Sequence, residues 1–209
     1  FWMAKYPVTC AQFEAFVYAD SYRKQEYWTV AGWQWKGDKT RPGYWLDAKF
    51  RIDNHPVVKV SWYEALAFTR WLSKKTGWEI SLPNEAQWQR AAQGDDERKY
   101  PWGNEFDVKL CNTEVSRIEK STPVTKYPNG VSPFGVTDMC GNVWEMCLSK
   151  ENWNYCFPEL TQHEGKESRM MRGGSWYETI KLGGAGTKVR NTVGSDTSLN
   201  YVGFRVCAI

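Results

Sequence analysis

The sequence predicts an α+β fold in a single domain over residues 1–209, with two main helices and much irregular structure. Three observations carry that reading. Helical periodicity is confined to the first half of the chain, whereas Gly, Pro and Asn punctuate short strand-like runs from Gly94 onward. No Pro/Ser-rich or single-charge run divides the chain. The aromatic load is high, with 13 Trp, 11 Tyr and 9 Phe spread from Phe1 to Phe204. Large rings bury much area per residue and suit a core that must fill in beneath loops.

Residues 1–9 read as a strand and turn. Ala11 to Tyr18 reads as a short helix, because Phe13, Phe16 and Val17 share one face. Residues 20–54 alternate aromatics with Gly and Pro, which predicts loops and short strands. The clearest helix runs from Ser61 to Thr76. Ser61 and Glu64 form a capping box, Ala65, Phe68, Trp71 and Leu72 recur at helical spacing, and Gly77 follows as a C-cap. A second main helix is signalled from Asn84 to Ala92, with Pro83 before its start and Trp88 and Ala91 on its apolar face. Beyond it, residues 128–135, 173–176 and 202–206 read as turns and short strands. The parity of Val202, Phe204 and Val206 suggests strand alternation.

Composition narrows the function classes. The 27 basic and 24 acidic residues are interspersed and leave a net charge of +3, with no cluster that reads as a nucleic-acid footprint. No apolar run approaches the ~20 residues of a membrane span. Neither a leader nor a lipidation motif is visible, and the start at Phe1-Trp2-Met3 reads as mid-strand, so a leader removed earlier fits equally well. The six cysteines include no CxxC; they permit three disulfides or dispersed buried thiols. Two histidines, His55 and His163, are too few for a His-based metal centre.

A series of ordered blocks then carries a resemblance along nearly the whole chain. They are Lys5-Tyr6-Pro7-Val8-Thr9; His55-Pro56-Val57-Val58 with Val60-Ser61-Trp62; Leu82-Pro83-Asn84-Glu85-Ala86-Gln87-Trp88; Tyr100-Pro101-Trp102-Gly103-Asn104; Asn129-Gly130 with Gly135; Gly141-Asn142-Val143-Trp144-Glu145; Arg172-Gly173-Gly174-Ser175-Trp176; and Gly203-Phe204-Arg205. Together they resemble the formylglycine-generating enzyme, or sulfatase-modifying factor, family. The resemblance implies a C-type-lectin-like fold of the formylglycine-generating-enzyme type.

The family's oxidases hold copper(I) through two cysteines shortly after the GGS[WY] block, as a soft ion requires. Here no cysteine follows Trp176 until Cys207, which lies beyond the GFR block. The iron-dependent relatives use three histidines on an additional helical domain; the two histidines here are too few, and we expect no such centre. We therefore expect no catalytic residues and no required cofactor. The resemblance also implies a structural calcium at the GN-x-W-E turn, held by the Gly141 and Val143 backbones and the Glu145 carboxylate. The alternative is that Glu145 pairs with a basic residue or caps the turn.

The family's tail after GGSW is altered here: only Arg190 fits its usual pattern, and Gly194-Ser195 replaces a D-P turn. Intact flanks around an atypical interior resemble the variable proteins of diversity-generating retroelements, in which template adenines are miscopied. Varied AAC codons yield Tyr, Thr, Ile, Leu, Gly, Ala, Val, Ser, Asp and Asn, which dominate here, with Glu178, Lys181 and Lys188 as exceptions. Ordinary divergence of a structural loop is the competing explanation. The resemblance implies a variable region over 177–201, with Tyr177 and Tyr201 as anchors. Ile180, Leu182, Val189 and Val193 would add apolar contact, and Thr179, Thr187, Asn191, Thr192, Ser195, Asp196 and Asn200 polar contact. The expected ligand is a protein or other surface ligand, met by a monomer at a cell surface, outside the cell or on a virion.

Overall fold

Side-chain caps start every α-helix in the computed structural model, which describes residues 1–151, 167–179 and 184–209. Helix α1, Cys10–Tyr18, begins on Thr9, whose hydroxyl accepts from the Gln12 amide while the Gln12 side chain accepts from the Thr9 amide. It buries Cys10, Phe13 and Phe16.

Helix α2, Val30–Lys36, lies in the stretch expected to be loop. Together with α1 it corrects the expectation of two main helices: the described residues hold four α-helices. The reason is local. Seven residues broken by Gly32 and ended by Gly37 are too short to show a helical period, and tertiary packing stabilises them instead. Thr29 caps the Gly32 amide at 2.9 Å, and a Cβ on Gly32 would stand 3.2 Å from the Tyr63 side chain. The glycine therefore lets α2 lie close against the next helix.

That helix, α3, spans Trp62–Thr76 between the Ser61–Glu64 capping box and Gly77, whose φ of 75° is the left-handed C-cap. A short strand, Ile80–Ser81, leads to α4, Glu85–Gln93, capped reciprocally by Asn84 and Gln87. Among the described residues, only single 3₁₀ turns follow α4 as helical elements.

The strands are β1 (Trp2–Met3), β2 (Ile80–Ser81), β3 (Trp144–Lys150), β4 (Ser168–Gly173), β5 (Gly186–Gly194), β6 (Val202–Gly203) and β7 (Cys207–Ala208). One sheet has the order β1-β7-β2, antiparallel throughout. The other has the order β5-β4-β3-β6, in which only the β3–β6 pair is parallel. The expected alternation over 202–206 is replaced by two short strands flanking Phe204 and Arg205, both fully buried.

The main core is aromatic and joins the helices to the larger sheet. Phe13 stacks on Phe68 at 5.5 Å, and Phe204 meets both edge-on. Trp62, Trp88 and Trp144 are buried, and the Trp62 indole donates to the Cys147 carbonyl at 2.9 Å.

Candidate functional site

Two buried ionic clusters hold the sheet beneath the altered tail. In the first, Glu145 of β3 is 1% exposed and accepts from Arg205 through both carboxylate oxygens at 2.5 Å, while the Trp88 indole donates at 2.6 Å. Arg205 also donates to the Ala4 and Thr137 carbonyls, which ties the chain's start and end to the sheet. In the second, Arg172 of β4 donates to Glu85 at 2.6 Å, to Gln89 at 2.5 Å and to the Thr187 carbonyl at 2.6 Å. Arg190 of β5 reaches the same carboxylate at 2.9 Å. Burial alone would raise the Glu85 carboxyl, but the bonds from Arg190 and Arg172 outweigh it and hold it below the ordinary value.

The turn before β3 is built for close approach. Gly141 has φ 76° and a Cβ there would come within 2.3 Å of the Asn112 carbonyl, while Asn142 holds φ 63°. The Asn142 side chain accepts from the Thr122 amide at 2.9 Å and donates to Asp138 at 3.0 Å. Burial pushes the Asp138 carboxyl up to about 7, against the lowering bond from Asn142 and the charge of Arg205.

The calcium set implied by the family resemblance does not fit this arrangement. Both Glu145 oxygens are engaged by Arg205, and a divalent cation there would stand against a buried guanidinium. The pairing alternative for Glu145 matches the geometry. Among the described residues, no three His, Cys, Asp or Glu side chains gather into a set that could hold a metal ion. His55 is buried with its ring bonded to Ser121 at 3.0 Å; burial and the Lys120 charge lower its pKa.

The thirteen tail residues expected to meet a ligand separate into distinct groups. Thr187, Val193 and Ser195 point inward and are corrected to framework residues. The Thr187 hydroxyl donates to the Arg98 carbonyl at 2.7 Å, and that of Ser195 donates to the Glu167 carbonyl at 2.6 Å. Val193 packs in the main core, with Val189 and Tyr201 half-buried against it. Tyr177, Asn191 and Asp196 are exposed; Thr179, Thr192 and Asn200 are half-buried. Ile180 and Leu182 lie outside the described residues.

Tyr177 is 66% exposed and stacks on Tyr201 at 6.1 Å between centroids, with Trp176 edge-on behind it at 5.8 Å. The following Glu178 is tied inward by the Trp144 indole at 2.8 Å. Sequence reasoning missed Lys188 and Arg190, which stand exposed on β5 beside Asn191. Their alternation with Thr187 and Val189 was the available signal.

Comparison with known proteins agrees with this architecture. The model of the sulfatase-modifying factor enzyme 1-like domain matches residues 1–208. Hercynine oxygenase of Mycolicibacterium thermoresistibile is 30% identical over 201 residues, covering 84% of this chain and 44% of that protein. The mouse (Mus musculus) protein named inactive C-alpha-formylglycine-generating enzyme 2 is 32% identical over 218 residues, covering 94% of this chain and 63% of its own. The chain thus spans about half the length of the curated relatives it matches. Among solved structures, Treponema denticola variable protein 1 shares the fold with a TM-score of 0.68 at 19% identity, over 98% of this chain and 82% of that one. With the matched blocks and the fold in agreement, this chain belongs to the sulfatase-modifying factor, or formylglycine-generating enzyme, family.

Proposed function

We propose that this chain is a catalytically inactive member of its family that works as a ligand-binding module. It would present side chains of the 177–201 stretch to a protein or other surface ligand, at a cell surface, outside the cell or on a virion. The observation that carries this reading is the sorting of the tail. Buried Thr187, Val193 and Ser195 fix the backbone, while Tyr177, Asn191 and Asp196 project from it. Changes at the projecting positions leave the framework bonds intact. The stacked Tyr177–Tyr201 pair supplies a rigid, amphipathic contact of the kind that anchors binding surfaces.

Two further facts support the reading. The tail holds no cysteine between Trp176 and Cys207, so the thiolates of the copper oxidases are missing from their place. A relative of similar sequence is itself named inactive. Retroelement diversification deepens the proposal, supported by the residue types that fill 177–201. Nucleotide sequencing of the locus tests it. A second, nearly identical copy of the segment encoding residues 172–209, with mismatches confined to template adenines, is the expected result. A single unduplicated copy would sink the diversified reading and leave an inactive domain with a fixed surface.

A second reading, oxygen-dependent catalysis, draws on the similarity to hercynine oxygenase, of which the chain covers under half. Oxygen uptake by the purified protein loaded with copper(I) or iron(II), in the presence of thiol substrates, separates the two. The binding reading expects no uptake above the metal-only background.

A further inference from the structure

Two cysteines that the binding surface does not use stand side by side. Asn112 and Gly141 form a parallel bridge, and the Asn142 amide donates to the Asn112 carbonyl at 2.7 Å. The residues immediately before that bridge, Cys111 and Cys140, therefore run alongside each other. Both are 1% exposed and pack together with Ala185, behind a wall of Tyr100, Trp102 and Phe106. Cys111 also reaches the Asp107 carbonyl at 3.9 Å, a weak contact that leaves the sulfur beside Cys140. The other described cysteines bond elsewhere: Cys10 to the Phe50 and Pro56 carbonyls, Cys147 to the Glu145 carbonyl, and Cys207 to the Gln87 side chain.

We propose that Cys111 and Cys140 are a dithiol pair that closes to a disulfide in an oxidising compartment, pinning the Asn112 segment to the Gly141 turn beneath the altered tail. The oxidant is a low-molecular-weight disulfide such as oxidised glutathione. The thiolate of one cysteine attacks the oxidant's S–S bond and releases one thiol. The second cysteine loses its proton and displaces the remaining half, releasing the second thiol. Two protein thiols are oxidised and one disulfide is reduced to two thiols, so electrons and protons balance. Because the aromatic wall covers both sulfurs, the exchange belongs to folding, before the wall closes, and the finished bond is shielded from reductants. The proposal rests on the extracellular placement only for where the bond forms in life.

Refolding the full chain from denaturant in glutathione buffers of increasing oxidation tests it. Each sample is quenched with N-ethylmaleimide in denaturant, and then weighed and peptide-mapped. At oxidising ratios the protein, which has six cysteines, should lose two alkylation sites and yield one cross-linked peptide joining 111 to 140. Its thermal midpoint should rise by about 6–12 °C over the reduced form. Cys111→Ser should abolish the cross-linked peptide and leave Cys140 alkylated. Six alkylated cysteines at the most oxidising ratio would overturn the proposal, as would a bond between other cysteines with 111 and 140 free. Should the serine variant fail to fold, the peptide map of the unaltered protein decides alone. No ligand enters the readout, so the bond and the binding surface stand or fall separately.

Discussion

Strands β4 and β5 pair antiparallel in one register from Ser168 to Arg172 and shift at Gly173, yet they meet opposite surroundings. In β4, every residue from Arg169 to Gly173 is buried, and both arginines are locked: Arg169 sits 3.9 Å over the Trp62 ring, and Arg172 is bonded to α4 and β5. In β5, burial is confined to the ends, at Gly186, Thr187 and Val193, while Lys188, Arg190 and Asn191 are exposed between them. Asn191 pairs with Met171 across the ladder, so the exposed residue takes its backbone position from a buried neighbour. The difference teaches that the outer strand owes its rigidity to the inner one: of its exposed middle residues Arg190 still ties back to Glu85, whereas Asn191 projects beside it.

Substitutions on the two strands should therefore differ several-fold in effect. Arg172→Met removes the buried cation that links Glu85, Gln89 and Thr187. It should cost about 3–5 kcal/mol in urea unfolding; a loss under ~1 kcal/mol would erase the contrast.

Asp138, next to the turn that positions β3, gives the next effect through pH. It titrates near pH 7 in the folded protein and near the ordinary ~4 when unfolded. The folded state therefore binds more protons in that window. Stability should fall as pH rises from about 4 to about 7, by up to ~1.4 kcal/mol per unit, and stay low above it. Asp138→Asn, which suits the left-handed φ of 55°, should flatten that slope.

Thr187→Val, at the buried end of β5, should cost about 1–2 kcal/mol by removing the hydroxyl bond to the Arg98 carbonyl, while the Lys99 carbonyl keeps the Thr187 amide. By contrast, Asn191→Ala and Tyr177→Ala should each change stability by about 0.5 kcal/mol or less. Calcium chelation should move the thermal midpoint least, by under ~1 °C. A fall of several degrees would direct attention to the Asn112 and Thr113 side-chain oxygens, which are buried without a hydrogen-bond partner.

Much of this architecture is legible where its causes are local. The capping box at Ser61, the cap at Gly77 and Pro83 before the start at Asn84 place α3 and α4 to within a residue. Helix α2 is hidden because Gly32 reads as a breaker, although its missing side chain is what admits Tyr63. Strand β3 is hidden because Trp144 to Ser149 are all buried, so no period of two survives. In the site, the exposure of Tyr177 follows from its place after the GGSW block, but the inward aim of Thr187 and Ser195 depends on sheet register. Glu145 finds Arg205 only through a fold that brings residues 60 positions apart together.

The pairing of β1 with β7 has a kinetic consequence. Trp2 faces Ala208 and Met3 faces Cys207, so the smaller sheet closes only when segments at opposite ends of this domain meet. Such a long-range contact carries a large loop-closure entropy and belongs late in folding. During synthesis β1 waits without this neighbour until β7 has left the ribosome. Any diversity written into 177–201 is thus checked by the segment made after it: a tail that misdirects Gly203-Phe204-Arg205 leaves the sheet open and the nascent chain exposed to proteolysis.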